Sequence, residues 1–181
     1  MSWILTKTGK QFDAREPKVE TVDIEDIAHA LSNMCRFNGH CTEFYSVAQH
    51  SVHVSYLVPP GQELAALMHD ASEAYISDVT SPVKRYLTGY AALEHRIQEV
   101  IARRFHFPAE MTPDMKRADL IMLATERRDL MPKHPAEWDC LRGIVPHDRR
   151  LIPMPPKEAK AFFMDRFEYL MYGGLAARTW L

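Results

Sequence analysis

The sequence predicts an all-α fold, a compact single-domain bundle of roughly six to eight helices. Three observations carry the prediction. The chain has 181 residues, 46% hydrophobic and 25% charged, and a length near ~150 residues is about one domain. Apolar residues recur at helical spacing through most of the chain. Polar caps and cap-proline pairs stand in front of those stretches, while Asn-Gly and Pro-Gly pairs fall between them.

Residues 1–22 read as a polar, hairpin-like lead-in packed on the domain, with Thr8-Gly9 as its turn. Lys7-Thr8-Gly9-Lys10 resembles a phosphate loop but lacks its first glycine and its Lys-Ser/Thr ending, so an ordinary turn is expected. The helical domain then runs over residues 23–181. Asp23 caps a first helix with Ile24, Ile27, Ala28, Leu31 and Met34 on one face, and Arg36-Phe37-Asn38-Gly39 should end it. Ser46-Val47-Ala48-Gln49 is a capping box for a second helix, on which His50, Val54 and Leu57 share a face. After Pro59-Pro60-Gly61, a third helix carries Leu64, Leu67, Met68, Ala71 and Tyr75 as its core stripe. Ser81-Pro82 should cap and open a short helix through Tyr86. The stretch 90–105 is amphipathic, and Thr112-Pro113 opens a helix to about Met131. Residues 132–156 hold six of the twelve prolines and are expected to be irregular, before a last helix over 156–171.

Composition excludes several classes. A core is affordable at this apolar content, so disorder is excluded. The net charge of −2 lacks the basic excess of a nucleic-acid binder, and no stable nucleic-acid partner is expected. No apolar run approaches the ~18 residues of a membrane span, and the N-terminus does not read as a signal peptide. Three cysteines outside any Cys-x-x-Cys pair argue against a disulfide framework and a thiolate zinc site. A cytoplasmic protein is expected. Exposed Met and Phe would tolerate homo-oligomers.

Chemistry concentrates in Leu67-Met68-His69-Asp70-Ala71-Ser72-Glu73. On one helix His69 and Glu73 are four residues apart, and three titratable groups interrupt a buried-looking edge. Unpaired charges there cost several kcal/mol, which a divalent ion held by imidazole and carboxylate would offset. The bland alternative is a surface His-Glu pair. His50 faces the core and reads either as a ligand or as a hydrogen-bonded core histidine. Asp119 sits mid-helix, as a ligand or as a salt-bridge partner of Lys116 or Arg117. Together His50, His69, Asp70 and Asp119 supply four N/O ligands from three helices.

The order of these four residues resembles the signature of the HD-domain metal-dependent phosphohydrolases. The likeness extends through Glu73, Asp78 and Ser81-Pro82-Val83-Lys84, which are similar to bacterial HD-type 5′-deoxynucleotidases. It also covers phage HD enzymes that remove triphosphate from deoxyadenosine triphosphate. The resemblance spans about residues 23–130, and the chain after Met131 adds nothing diagnostic. It implies an HD-type bundle and one divalent ion (Zn, Co, Mn or Mg, with a second Mg arriving with substrate). It further implies nucleotide metabolism in a bacterial or phage-infected cell.

Several roles follow from the resemblance alone. Glu73 is implied as catalytic acid or base and Asp78 as a second catalytic carboxylate, with support of His69 the alternative for Glu73. Lys84 is implied as a point charge on phosphate, with Ser81 a neutral donor. Arg36 resembles the arginine that contacts nucleotide phosphate; its alternative is a helix-end cation. Phe37 stands where the family commonly has tryptophan and keeps a ring for stacking. His40, Glu43 and Tyr45 share that loop and are expected to line the pocket, while His53, His95 and His106 are expected at the surface. Glu126 shares the Asp119 face and reads as a pocket residue or as a salt-bridge partner of Arg127, Arg128 or another neighbour. The implied activity is 5′-deoxynucleotidase-like removal of phosphate by metal-activated water. The alternatives are triphosphate release from a deoxynucleoside triphosphate and a non-catalytic nucleotide sensor, the last disfavoured by the presence of both Glu73 and Asp78.

Overall fold

A computed structural model describes residues 2–173, and the last eight positions assigned to the helical domain lie outside them. The described chain is all-α apart from one small hairpin, β1 (Ile4–Leu5) against β2 (Gln11–Phe12), antiparallel with Ile4 opposite Phe12. Its turn is an ordinary one, with Gly9 at φ 83° and Thr6 N–H donating to Lys10 O at 2.9 Å. The Thr8 N–H and hydroxyl both donate to the Asp26 carboxylate at 2.7 Å, so the loop's donors are taken by the protein itself. Phe12 is buried and stacks on Tyr75 at 3.8 Å, which fastens the hairpin to the bundle.

Eight helices follow: α1 (Ile24–Asn33), α2 (Val47–Tyr56), α3 (Glu63–Leu67), α4 (Glu73–Ile76), α5 (Ser81–Lys84), α6 (Tyr90–Phe105), α7 (Pro113–Leu130) and α8 (Pro156–Tyr172). Side chains of Asp23, Ser46 and Thr112 cap α1, α2 and α7 as their positions predict. Thr80, not Ser81, occupies the cap position of α5.

α2 is the centre of the bundle, packed by α1, α3, α7 and α8. Nine of its ten residues are buried, five of them polar, so their partners decide whether burial is tolerated. The capping box is only half formed. Ser46 accepts from Gln49 N–H, but the Gln49 side chain reaches across to Ile152 O (2.8 Å) and Met154 N–H (2.9 Å). These two bonds pin the irregular C-terminal segment onto α2. Ser55 accepts from Arg166 Nε at 3.0 Å, while the Arg166 guanidinium lies 4.0 Å from the Tyr56 ring.

Three predicted helices differ from the structure, and the short one, α5, ends at Lys84 instead of running through Tyr86. α1 stops at Asn33, because Cys35 pairs with Ser46 in an isolated β-bridge and Arg36 N–H donates to Tyr45 O at 2.9 Å. Arg36 is therefore not a helix-end cation. The single helix expected from Leu64 to Tyr75 is two, α3 and α4, joined by a turn over 68–72. Three-residue bonds such as Ala71 N–H to Met68 O (3.1 Å) and Glu73 N–H to Asp70 O (3.0 Å) hold that turn.

Candidate metal centre and cleft

The turn between α3 and α4 decides the geometry of the site. On a regular helix neighbouring side chains diverge by ~100°, yet here the adjacent His69 and Asp70 converge, with His69 Nε2 3.2 Å from Asp70 Oδ2. His69 Nδ1 lies 2.7 Å from Ala66 O, a donation that leaves Nε2 as the free lone pair. From α2, His50 places Nδ1 2.6 Å from Glu126 Oε1 and Nε2 3.1 Å from Asp119 Oδ1, both carboxylates carried by α7. Each imidazole is thus fixed at Nδ1 by an acceptor, the arrangement that orients metal-ligating histidines.

The ligand atoms of His50, His69 and Asp119 lie within 4.8 Å of one another, a spacing that could hold a metal ion. The donor set fits such an ion on a second count. Both Nε2 atoms are buried without a well-aligned hydrogen bond, each instead facing a carboxylate oxygen at 3.1 or 3.2 Å, an arrangement that a shared ion would satisfy. Asp70 borders the group, its Oδ2 3.8 Å from His50 Nε2. All four expected ligands are therefore brought together, three of them as the cluster and Asp70 beside it.

Electrostatics follow from this crowding. Burial and the Arg36 cation oppose protonation of His50, but the Glu126 and Asp119 carboxylates outweigh them and raise its pKa to about 9. His69 is also raised, burial being overcome by Asp70 and Asp119. Burial works against ionised Asp70 and Asp119, yet the imidazoles and, for Asp70, Arg36 keep both below the usual carboxylate range.

A cleft of about 780 Å³ opens over this group, lined by Arg36, Asp70, Glu73, Asp78, Lys84 and Asp119 among others. Arg36 reaches it because the 35–46 loop is tied at both ends, by the Cys35–Ser46 bridge and by Thr42 N–H donating to Leu130 O at 2.8 Å. Its Nε donates to Glu126 Oε2 at 3.0 Å, and one terminal nitrogen lies 3.8 Å from Asp70. Glu126, completely buried, thus serves His50 with one oxygen and Arg36 with the other. Of its two sequence readings the salt bridge holds, with Arg36 as the partner, and Glu126 itself is not among the residues lining the cleft.

Glu73 is buried at the cleft wall with Oε2 unpartnered. Burial and then the Asp70 and Asp78 charges push its pKa well above the ordinary carboxylate value. Asp78 is raised chiefly by burial, and it follows Ser77, whose φ of 72° marks a sharp backbone turn into the cleft. Lys84 also lines the cleft but is paired, 2.7 Å from Glu94 and 3.6 Å from Glu73. Ser81 is on the same wall.

Other expectations are corrected. Tyr45 is fully buried in the core, and His40 and Glu43 are exposed away from the cleft lining. His53 is not on the surface; it is completely buried one turn from His50, between Tyr45 and Phe162. His95 and His106 are exposed as expected. The segment after Met131 does contribute: Trp138, Asp139 and Cys140 line the cleft, with Trp138 6.0 Å from Phe37 between ring centroids. A lone tryptophan in a proline-rich stretch was the only signal. Cys35, Cys41 and Cys140 are free thiols. No helix among the described residues is long and apolar enough to cross a membrane.

No family model matches the sequence. The chain is 46% identical over 171 residues to the uncharacterized protein YfdR of Escherichia coli (strain K12), covering 94% of this chain and 96% of YfdR. It is 32% identical over 188 residues to the uncharacterized protein RCAP_rcc00048 of Rhodobacter capsulatus, again covering 94% of this chain and 96% of the relative. The chain belongs to the family of these two proteins.

Proposed function

We propose that this member of the YfdR family is a metal-dependent phosphohydrolase that removes phosphate from deoxynucleotides. One observation supports the reading above the others: two buried imidazoles whose Nε2 atoms lack a well-aligned hydrogen bond meet Asp119 and Asp70 beneath a cleft whose walls carry Arg36, Lys84 and Glu73. The same residues carry the resemblance to the HD-type phosphohydrolases, and they are the chemical parts that phosphate-ester hydrolysis requires.

His50, His69, Asp70 and Asp119 would hold the ion, and the two imidazoles suit Zn, Co or Mn better than Mg. A divalent ion there supplies Lewis acidity toward a phosphoryl oxygen and makes water a stronger acid. Arg36 presents a planar fork to a phosphate, held in place by its Nε–Glu126 bond. Lys84 adds a point charge at the other wall, screened in part by Glu94. Glu73, whose pKa burial and its acidic neighbours push up, is placed to give a proton to the leaving oxygen. Asp78, raised less, is the group available to accept one from attacking water.

Product analysis tests the proposal. The protein is incubated with each deoxynucleoside mono- and triphosphate and Mn²⁺, Co²⁺, Mg²⁺ or Zn²⁺. Inorganic phosphate from the monophosphates is expected. Tripolyphosphate from a triphosphate would move the cleavage point and keep the metal chemistry. No hydrolysis of any nucleotide with any ion would overturn the reading.

A further inference from the structure

The mouth of the cleft carries a feature that phosphate chemistry does not use. Phe37 and Asn38 both adopt left-handed backbone, at φ 55° and 52°, a conformation costly for a phenylalanine and concentrated at ligand clamps. The conformation sets the Phe37 ring against Trp138, with centroids 6.0 Å apart and planes tilted by 50°. Both residues are only half-buried and both line the cleft.

Trp138 is not placed by chance packing of a loose segment. Arg127 donates to Ala136 O at 2.7 Å and sets its guanidinium 5.4 Å from the Trp138 ring. Arg127 belongs to α7, the helix that also carries Asp119 and Glu126. On the other side Arg36, which holds Glu126, lies 5.4 Å from the Phe37 ring. Both aromatic walls are therefore tied to the same framework as the metal group.

We propose that Trp138 joins Phe37, whose ring the family resemblance already offers for stacking, to form the nucleobase platform of this site. The inference rests on the nucleotide reading above and deepens it. It assigns the substrate class as phosphate esters that carry an aromatic base, as against sugar phosphates or phosphopeptides. A π face grips any base by stacking, so the platform tolerates all four bases.

The test compares wild type, Trp138→Ala and Trp138→Phe, each loaded with metal, on deoxynucleoside monophosphates and on deoxyribose 5-phosphate, which has no base. Trp138→Ala should raise KM for the nucleotides ~10- to 100-fold and leave KM for the sugar phosphate, metal content and Tm unchanged. Trp138→Phe should restore most of the loss. Equal effects on both substrates, or on neither, would overturn the platform. Calorimetric binding of the monophosphates separates this outcome from failure of the hydrolase reading. A protein that turns nothing over but binds nucleotides ~10- to 100-fold more weakly as Trp138→Ala keeps the platform. Unchanged affinity in that variant, or no nucleotide binding by wild type, rejects it.

Discussion

His50 and His53 lie one turn apart on α2, both completely buried, and their surroundings make them opposites. His50 meets Glu126 and Asp119 and is pushed up to about 9. His53 sits between Tyr45 and Phe162, with Gln49 at 3.4 Å, and burial, reinforced by the charges of His50 and His147, holds it well below its ordinary value. One face of the helix meets the carboxylates of α7 beneath the cleft and the other an aromatic core. The contrast teaches that burial alone does not mark a ligand. A buried imidazole becomes a candidate when carboxylates and a second imidazole crowd its nitrogens at metal-ligand spacing.

The acidic side should respond to mutation as a reaction centre and the aromatic side as packing. The largest expected effect on turnover is at Glu73. Glu73→Gln keeps the shape and removes the titratable proton, so kcat should fall ~10²- to 10⁴-fold with metal content unchanged. Single-turnover kinetics with elemental analysis check this, and near wild-type turnover would make Glu73 a bystander.

Glu126 sharpens the comparison because it creates the difference between the two histidines. Glu126→Gln removes the charge that orients His50 and anchors Arg36. Metal affinity should fall ~10- to 100-fold, and KM should rise with it. A chelator competition series reads the first effect. Loss of stability with metal affinity intact would assign Glu126 to folding alone.

Arg36 gives a smaller effect on binding. Arg36→Ala should raise KM with metal content almost unchanged, and should also lower Tm, because it leaves one oxygen of the buried Glu126 carboxylate without its cation. Arg36→Lys should recover little, since an ammonium cannot both hold Glu126 and present a fork. Wild-type KM in Arg36→Lys would remove the bidentate contact from the account.

A last effect concerns the stability of the metal-free protein, not turnover or binding. The folded pKa of His50 is above its unfolded value, so its contribution to stability is complete below pH 6.5 and is lost as pH rises through about 9. A rise of that size is worth roughly 3 kcal/mol, or several degrees of Tm at this chain length. The Tm of metal-free protein should therefore fall between pH 6.5 and 9.5. His50→Gln should flatten that part of the profile.

Local signals made most of the fold legible. α6 and α7 begin and end within a residue of their sequence limits, because capping residues and apolar stripes are properties of adjacent positions. The break between α3 and α4 was not legible. A turn held by three-residue bonds keeps nearly helical side-chain spacing, so Leu64, Leu67, Met68, Ala71 and Tyr75 read as one stripe. The candidate ligands were legible through their order, but their convergence depends on that hidden turn. Trp138 was illegible for a different reason. Its partners Phe37 and Arg127 come from other parts of the chain, and an irregular segment carries no period to read. His53 failed likewise, since Phe162, which covers its ring, comes from the far end of the chain.

The central claim is that His50 is a metal ligand and His53 is not. Metal content of His50→Gln and His53→Gln, purified side by side and measured by elemental analysis after equilibration with Mn²⁺ and Zn²⁺, tests it most directly. The account predicts loss of bound metal in His50→Gln, and full occupancy with a lowered Tm in His53→Gln. Full occupancy in His50→Gln would contradict it.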